Sequence, residues 1–106
     1  GTLFGRGLYF AESCMKADEY TGHDPVGRCP MLLCRVVLGR VWYCDERYPD
    51  TDALEDRCKA GGGFRAVIGD REKIRQTFRE FIIFDNDQVY PEYLVWYNRK
   101  PPFIKP

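Results

Sequence analysis

Long apolar runs, an excess of either charge and paired cysteines are all lacking in this chain. No stretch approaches the roughly 20 apolar residues that a membrane-spanning helix needs, and nothing near Gly1 has the charged and apolar regions of a secretory signal. Lys plus Arg and Asp plus Glu number 16 each, so no global field favours nucleic acid or an anionic membrane surface. The five cysteines are odd in number and include no C-x-x-C pair, a poor basis for a disulfide framework or a zinc site. His23 and Cys29 are the nearest approach to a metal cluster, and two ligands are too few. Reduced thiols in an intracellular protein, nuclear or cytoplasmic, are the expectation. With 106 residues the chain has room for one modest core.

What is present is strand-rich. GRGLYFAESCMKADEY, residues 5–20, leads two glycines into a short strand at 8–10. A helix over 12–20 follows, with Ser13 as N-cap and Gly22 as its stop. Residues 21–30 read as a loop. MLLCRVVL, residues 31–38, is a nearly continuous apolar run and predicts a strand buried on both faces, continued at 41–44 after a kink. Residues 45–63 read as a long mobile loop with one helical turn near 52–58. A short strand at 66–68 and a helix capped by Asp70 and ending at Gln76 come next. FREFIIF and EYLVWY, joined by the turn-rich DNDQVYP, read as a strand pair. The tail KPPFIKP cannot extend a sheet. The layout is α+β and mostly antiparallel. Its start, inside a glycine-rich turn that feeds a strand, reads as the second half of a domain.

Three residues stand out chemically. Glu80 lies among Phe78, Phe81, Ile82, Ile83 and Phe84, so its carboxylate either faces water on an edge strand or is held in a cleft; the pattern favours neither. Taken singly, Tyr9 at a strand end reads as core and Tyr20 at a helix end as packing against a neighbouring loop. Taken together, on either side of one strand-to-helix turn, they could wall a slot for a flat ring, with Gly5 and Gly7 allowing close approach. A cationic ring would gain roughly 0.5–2 kcal/mol there. Arg6 and Lys16 could meet phosphates, although solvated surface charge is the default for both. GRGLYF is neither a dinucleotide fingerprint nor a phosphate loop. No basic–aromatic platform for nucleic acid is visible.

FGRGLYFAES with the following Tyr20, then MLLCRVVLG, AVIGD and REFIIFDNDQVYPEYLVWY, in this order, resemble the catalytic domain of the poly(ADP-ribose) polymerases, in particular its tankyrase-like branch. The resemblance implies a diphtheria-toxin-like ADP-ribosyltransferase fold with a split β-sheet, and residues 1–106 as the C-terminal part of one catalytic domain. It implies NAD+ as substrate, protein acceptors of ADP-ribose and a His-Tyr-Glu triad. The triad's tyrosine falls on Tyr9 and its glutamate on Glu80, while the second ring of the nicotinamide sandwich falls on Tyr20. Lys16, Ala17 and Gly7 fall at cofactor-binding positions; a serine that usually bonds the nicotinamide amide is replaced by Ala17. The triad histidine is expected upstream of Gly1, and His23 does not match it. The Cys/His zinc cluster of the tankyrases is absent from residues 21–34, so no metal is expected. A catalytically silent scaffolding module on the same fold is the alternative.

Overall fold

A computed structural model describes residues 2–71, 73 and 78–99. Eight elements follow in chain order: β1 (Leu8–Ala11), α1 (Cys14–Asp18), β2 (Arg28–Val36), β3 (Val41–Cys44), α2 (Thr51–Arg57), β4 (Ala66–Asp70), β5 (Arg79–Ile83) and β6 (Val89–Asn98). Four strands form one sheet in the order β1-β5-β4-β3, and β2 with β6 forms a separate two-stranded ribbon. All pairs are antiparallel except β3 with β4, so the α+β, mostly antiparallel expectation holds.

The central strand β5 organises the larger sheet. Its register sets Ala11 and Gly69 on either side of Glu80, and Tyr9 and Val67 on either side of Ile82. Strand alternation therefore puts Tyr9, Ala11, Val67, Gly69, Glu80 and Ile82 on one face. Phe4, Cys44, Leu54, Val67 and Ile82 form the core against that face. Completely burying side chains such as Phe4, Val67 and Ile82 contributes about 1.5–3 kcal/mol each. Gly69 makes room for this packing: a Cβ there would lie 2.3 Å from the Phe4 ring.

Several expectations need correction. Residues 41–44 do not continue the preceding strand. Gly39, at φ +65°, turns the chain out of the ribbon and into the other sheet, where β3 pairs with β4. The run 45–63 is more than a mobile loop, because α2 extends over two turns, is capped by the Asp50 carboxylate on the Ala53 N–H, and buries Leu54. The expected pair formed by 78–84 and 92–97 does not exist. A 3-10 turn at Asn86–Gln88, capped by Asp85, carries the chain between sheets, so β5 pairs with β1 and β4 while β6 pairs with β2. The strand expected to be buried on both faces is the more exposed one: Leu32 and Leu33 are 58% and 55% exposed. A ribbon of two strands leaves its apolar side chains without a covering layer. Helix α1 is shorter than expected, and Ser13 takes the N-cap position without a side-chain bond. Of the helix expected from Asp70 to Gln76, residues 72 and 74–76 lie outside the described residues, as do residues 100–106 of the tail; the Asp70 carboxylate does accept from the Lys73 N–H at 3.1 Å.

Gln88 joins the two sheets. Its buried amide donates to the carbonyls of Val37 and Arg65 at 2.9 and 3.0 Å, and its own carbonyl accepts from the Val37 N–H at 2.8 Å.

Candidate active site

A cleft of about 980 Å³ is lined by Tyr9, Lys16, Ala17, Tyr20, Arg71 and Glu80, together with apolar side chains of the ribbon. Five of the six residues singled out from the sequence thus meet in one place. Gly7 does not line it. A Cβ at Gly7 would lie 2.6 Å from the Ile83 carbonyl oxygen and 2.7 Å from Ile82, so this glycine serves the approach of the chain to β5.

Glu80 is 5% exposed and sits in the middle of the sheet, not on an edge strand. Burying a carboxylate in an apolar strand is costly without a partner. Yet among the described residues no hydrogen bond or ion pair to its side chain forms. The nearby charge is Lys16, whose ammonium is also buried. Burial alone would lower the lysine's pKa, but the Tyr20 side chain and the carboxylates of Glu80 and Glu19 outweigh it and raise the value. Lys16 is therefore a held cation, against the expectation of a solvated one. Its Nζ lies 3.4 Å from Glu19 Oε1 and 5.2 Å from the centroid of the Tyr20 ring.

Tyr9 is core aromatic and cleft wall at once. Its ring packs against the core, and its hydroxyl donates to the Gly5 carbonyl at 2.6 Å and accepts from the Phe4 N–H at 2.9 Å. Burial is the main reason its pKa is raised, with the charges of Glu80 and Glu55 adding to it against the Phe4 N–H. Tyr20 is the opposite case, 66% exposed and standing on the turn that ends α1. The Arg6 side chain meets Glu55 at 3.4 Å.

Sequence reasoning missed Arg71. This side chain lines the cleft, and its buried Nε has no hydrogen-bond partner among the described residues. No pattern in AVIGDR distinguishes it from a surface arginine; only its placement at the end of β4 does. Glu12, also on the cleft, is held by both arms of Arg79 at 2.7 and 2.9 Å. Among the described residues no group of three or more His, Cys, Asp or Glu side chains could hold a metal, and no helix is long and apolar enough to cross a membrane. All five cysteines are free.

Glu80, Tyr9 and Tyr20 line one cleft, and comparison with known proteins gives the family. Residues 1–99 match the model of the Poly(ADP-ribose) polymerase catalytic domain. The chain is 30% identical over 99 residues to the "Probable poly [ADP-ribose] polymerase" of Dictyostelium discoideum, covering 92% of this chain and 25% of that protein. It is 29% identical over 128 residues to "Poly [ADP-ribose] polymerase tankyrase" of Caenorhabditis elegans, covering 92% of this chain and 6% of the relative. With "Protein mono-ADP-ribosyltransferase PARP12" of Mus musculus it shares 31% identity over 104 residues, 96% of this chain and 14% of the relative. The chain belongs to the poly(ADP-ribose) polymerase catalytic-domain family. It spans a quarter or less of the length of these curated relatives.

Proposed function

We propose that this chain supplies the nicotinamide slot and the acid of an NAD+-dependent ADP-ribosyltransferase, with a diphtheria-toxin-like fold, that transfers ADP-ribose to protein acceptors and releases nicotinamide. The observation that carries this is Glu80: a buried carboxylate that accepts no hydrogen bond among the described residues, on the same sheet face as Tyr9 and lining one cleft with Tyr20. Cleavage of the bond between ribose and nicotinamide develops positive charge on the sugar, as in glycoside hydrolysis. An acid held in a partly dry cleft stabilises such charge more strongly than it could in water. Tyr9 and Tyr20 hold the ring of the substrate, and the buried Lys16 lines the same cleft as Glu80. His23 does not match the triad histidine, so this reading is of the complete catalytic domain. The five free thiols fit an intracellular setting.

The test is transfer from labelled NAD+ by the complete domain carrying Glu80→Gln. A fall of about 10²–10³-fold is expected, the scale of losing one preorganised transition-state contact. Transfer at the wild-type rate would remove Glu80 from the chemistry. Ala17 favours a second reading, a silent scaffolding module, because it leaves this wall of the cleft without a polar contact to the ring; such a module would show no transfer before mutation. The relatives' names include both poly- and mono-transfer, and product length in the same assay separates these.

A further inference from the structure

We propose that Asp18, Tyr97 and Arg99 form a latch that fixes the position of Tyr20, and thereby the affinity of the slot for the nicotinamide ring. This rests on Tyr20 being a slot wall, as set out above.

Helix α1 spans five residues and makes no side-chain cap bond at Ser13. So short a helix does not hold itself in place. The Tyr20 ring is 66% exposed, so its own packing contributes little to where it stands. Beyond the local bonds of the turn, from the Tyr20 N–H to the Ala17 carbonyl and from the Thr21 N–H to the Asp18 carbonyl at 3.2 Å each, the backbone beneath it is fastened from the far end of β6. The Tyr97 hydroxyl donates to Asp18 Oδ1, and Arg99 Nε donates to the same oxygen at 2.8 Å. Arg99 Nη2 donates to the carbonyls of Asp18 and Thr21, at 2.9 and 2.5 Å. One guanidinium thus bonds the backbone on both sides of Tyr20. Thr21 Oγ1 adds a bond to the Pro30 carbonyl at 2.9 Å, at the start of the ribbon.

Bonds with a charged partner are the stronger kind, and the planar fork of arginine fixes direction as well as distance. The three residues are positioning residues: they act on the ring through the main chain of 18–21.

The experiment compares Asp18→Asn, Arg99→Ala and Arg99→Lys in the complete catalytic domain, using free nicotinamide as the binding probe and NAD+ as the substrate. Asp18→Asn and Arg99→Ala are expected to weaken nicotinamide binding about three- to tenfold, the scale of one or two lost hydrogen bonds. KM for NAD+ should rise more than kcat falls, with the urea midpoint nearly unchanged. Arg99→Lys should recover part of the loss, since it keeps the charge without the fork. Unchanged affinity in Asp18→Asn and Arg99→Ala would overturn the latch, as would a loss that tracks the urea midpoint. Tyr20→Ala separates the two ideas. If it weakens binding while the latch variants do not, the latch alone falls; if it has no effect either, the slot reading falls with it.

Discussion

In the four-stranded sheet Ile82 and Ile83 of the central strand are completely withdrawn from water, whereas in the ribbon Leu32, Leu33 and Leu94 are each more than half exposed. Both regions are equally apolar in sequence. They differ in what lies over them. β5 is flanked by two strands and covered by Phe4, Leu54 and Cys44, while β2 pairs with β6 in a two-stranded ribbon. The cleft inherits this asymmetry. Glu80 and Tyr9 stand on the well-packed sheet, and Tyr20 stands on a short turn fastened by polar bonds to the ribbon. One wall is held by packing and the other by hydrogen bonds.

The largest expected effect comes from core removal on the packed side. Ile82→Ala should lower unfolding free energy by about 2–5 kcal/mol, whereas Leu32→Ala on the ribbon should stay within about 0.5 kcal/mol. Urea unfolding of the chain measures both, and equal losses would break the contrast. The same Leu32→Ala in the complete domain sharpens it, because a larger cost there would mean that this face is covered by other parts of the protein.

Next in size is the link between the two regions. Gln88→Ala removes the amide that bonds the Val37 and Arg65 carbonyls, and should cost about 1–3 kcal/mol as buried groups lose their partner. Hydrogen exchange should then show the ribbon opening before the sheet. Uniform protection across both would mean that Gln88 does not couple them.

The smallest effect is a titration at the end of β6. The hydrogen bond to the Asp18 carboxylate, followed by burial, pushes the Tyr97 phenol up to about 12 from its ordinary 10.0. Raised in the folded state, it contributes stability that is complete below pH 10 and disappears as pH rises through about 12. Asp18 is held below its ordinary 3.8, first by the Tyr97 hydroxyl and then by Arg99. Its contribution is complete above pH 3.8 and is lost as pH falls through that lowered value. Ultraviolet titration of the phenols should place one tyrosine near 12, and Asp18→Asn should bring it back towards 10; an unmoved titration would break this pairing.

The short strands, the glycine turns and the residues of the cleft were legible in sequence because each depends on local pattern. Leu8–Ala11 and Ala66–Asp70 alternate or cluster apolar residues between turn signals, and the spacing of Tyr9 from Tyr20 places both at one turn. The resemblance carried by FGRGLYFAES and REFIIF pointed to the same tyrosines and to Glu80. Pairing was not legible. FREFIIF and EYLVWY have the form of a hairpin, and only the turn around Gln88 sends them to different sheets. Burial of MLLCRVVL was misjudged for a related reason: an apolar run states a need for cover and not whether cover is there. Lys16 and Arg71 look like ordinary surface cations until α1 and the end of β4 bring them to the cleft.

From sequence alone came the strand-rich α+β character and, through motifs such as FGRGLYFAES and REFIIF, the family resemblance that pointed to Tyr9, Tyr20 and Glu80. These follow from residues within a few positions of one another. Which strand sits beside which, that Glu80 shares a face with Tyr9, and that Tyr97 and Arg99 reach back 79 and 81 residues to grip Asp18 were decided only by tertiary structure. Contacts between distant residues depend on the packing of the whole chain, which no local pattern encodes.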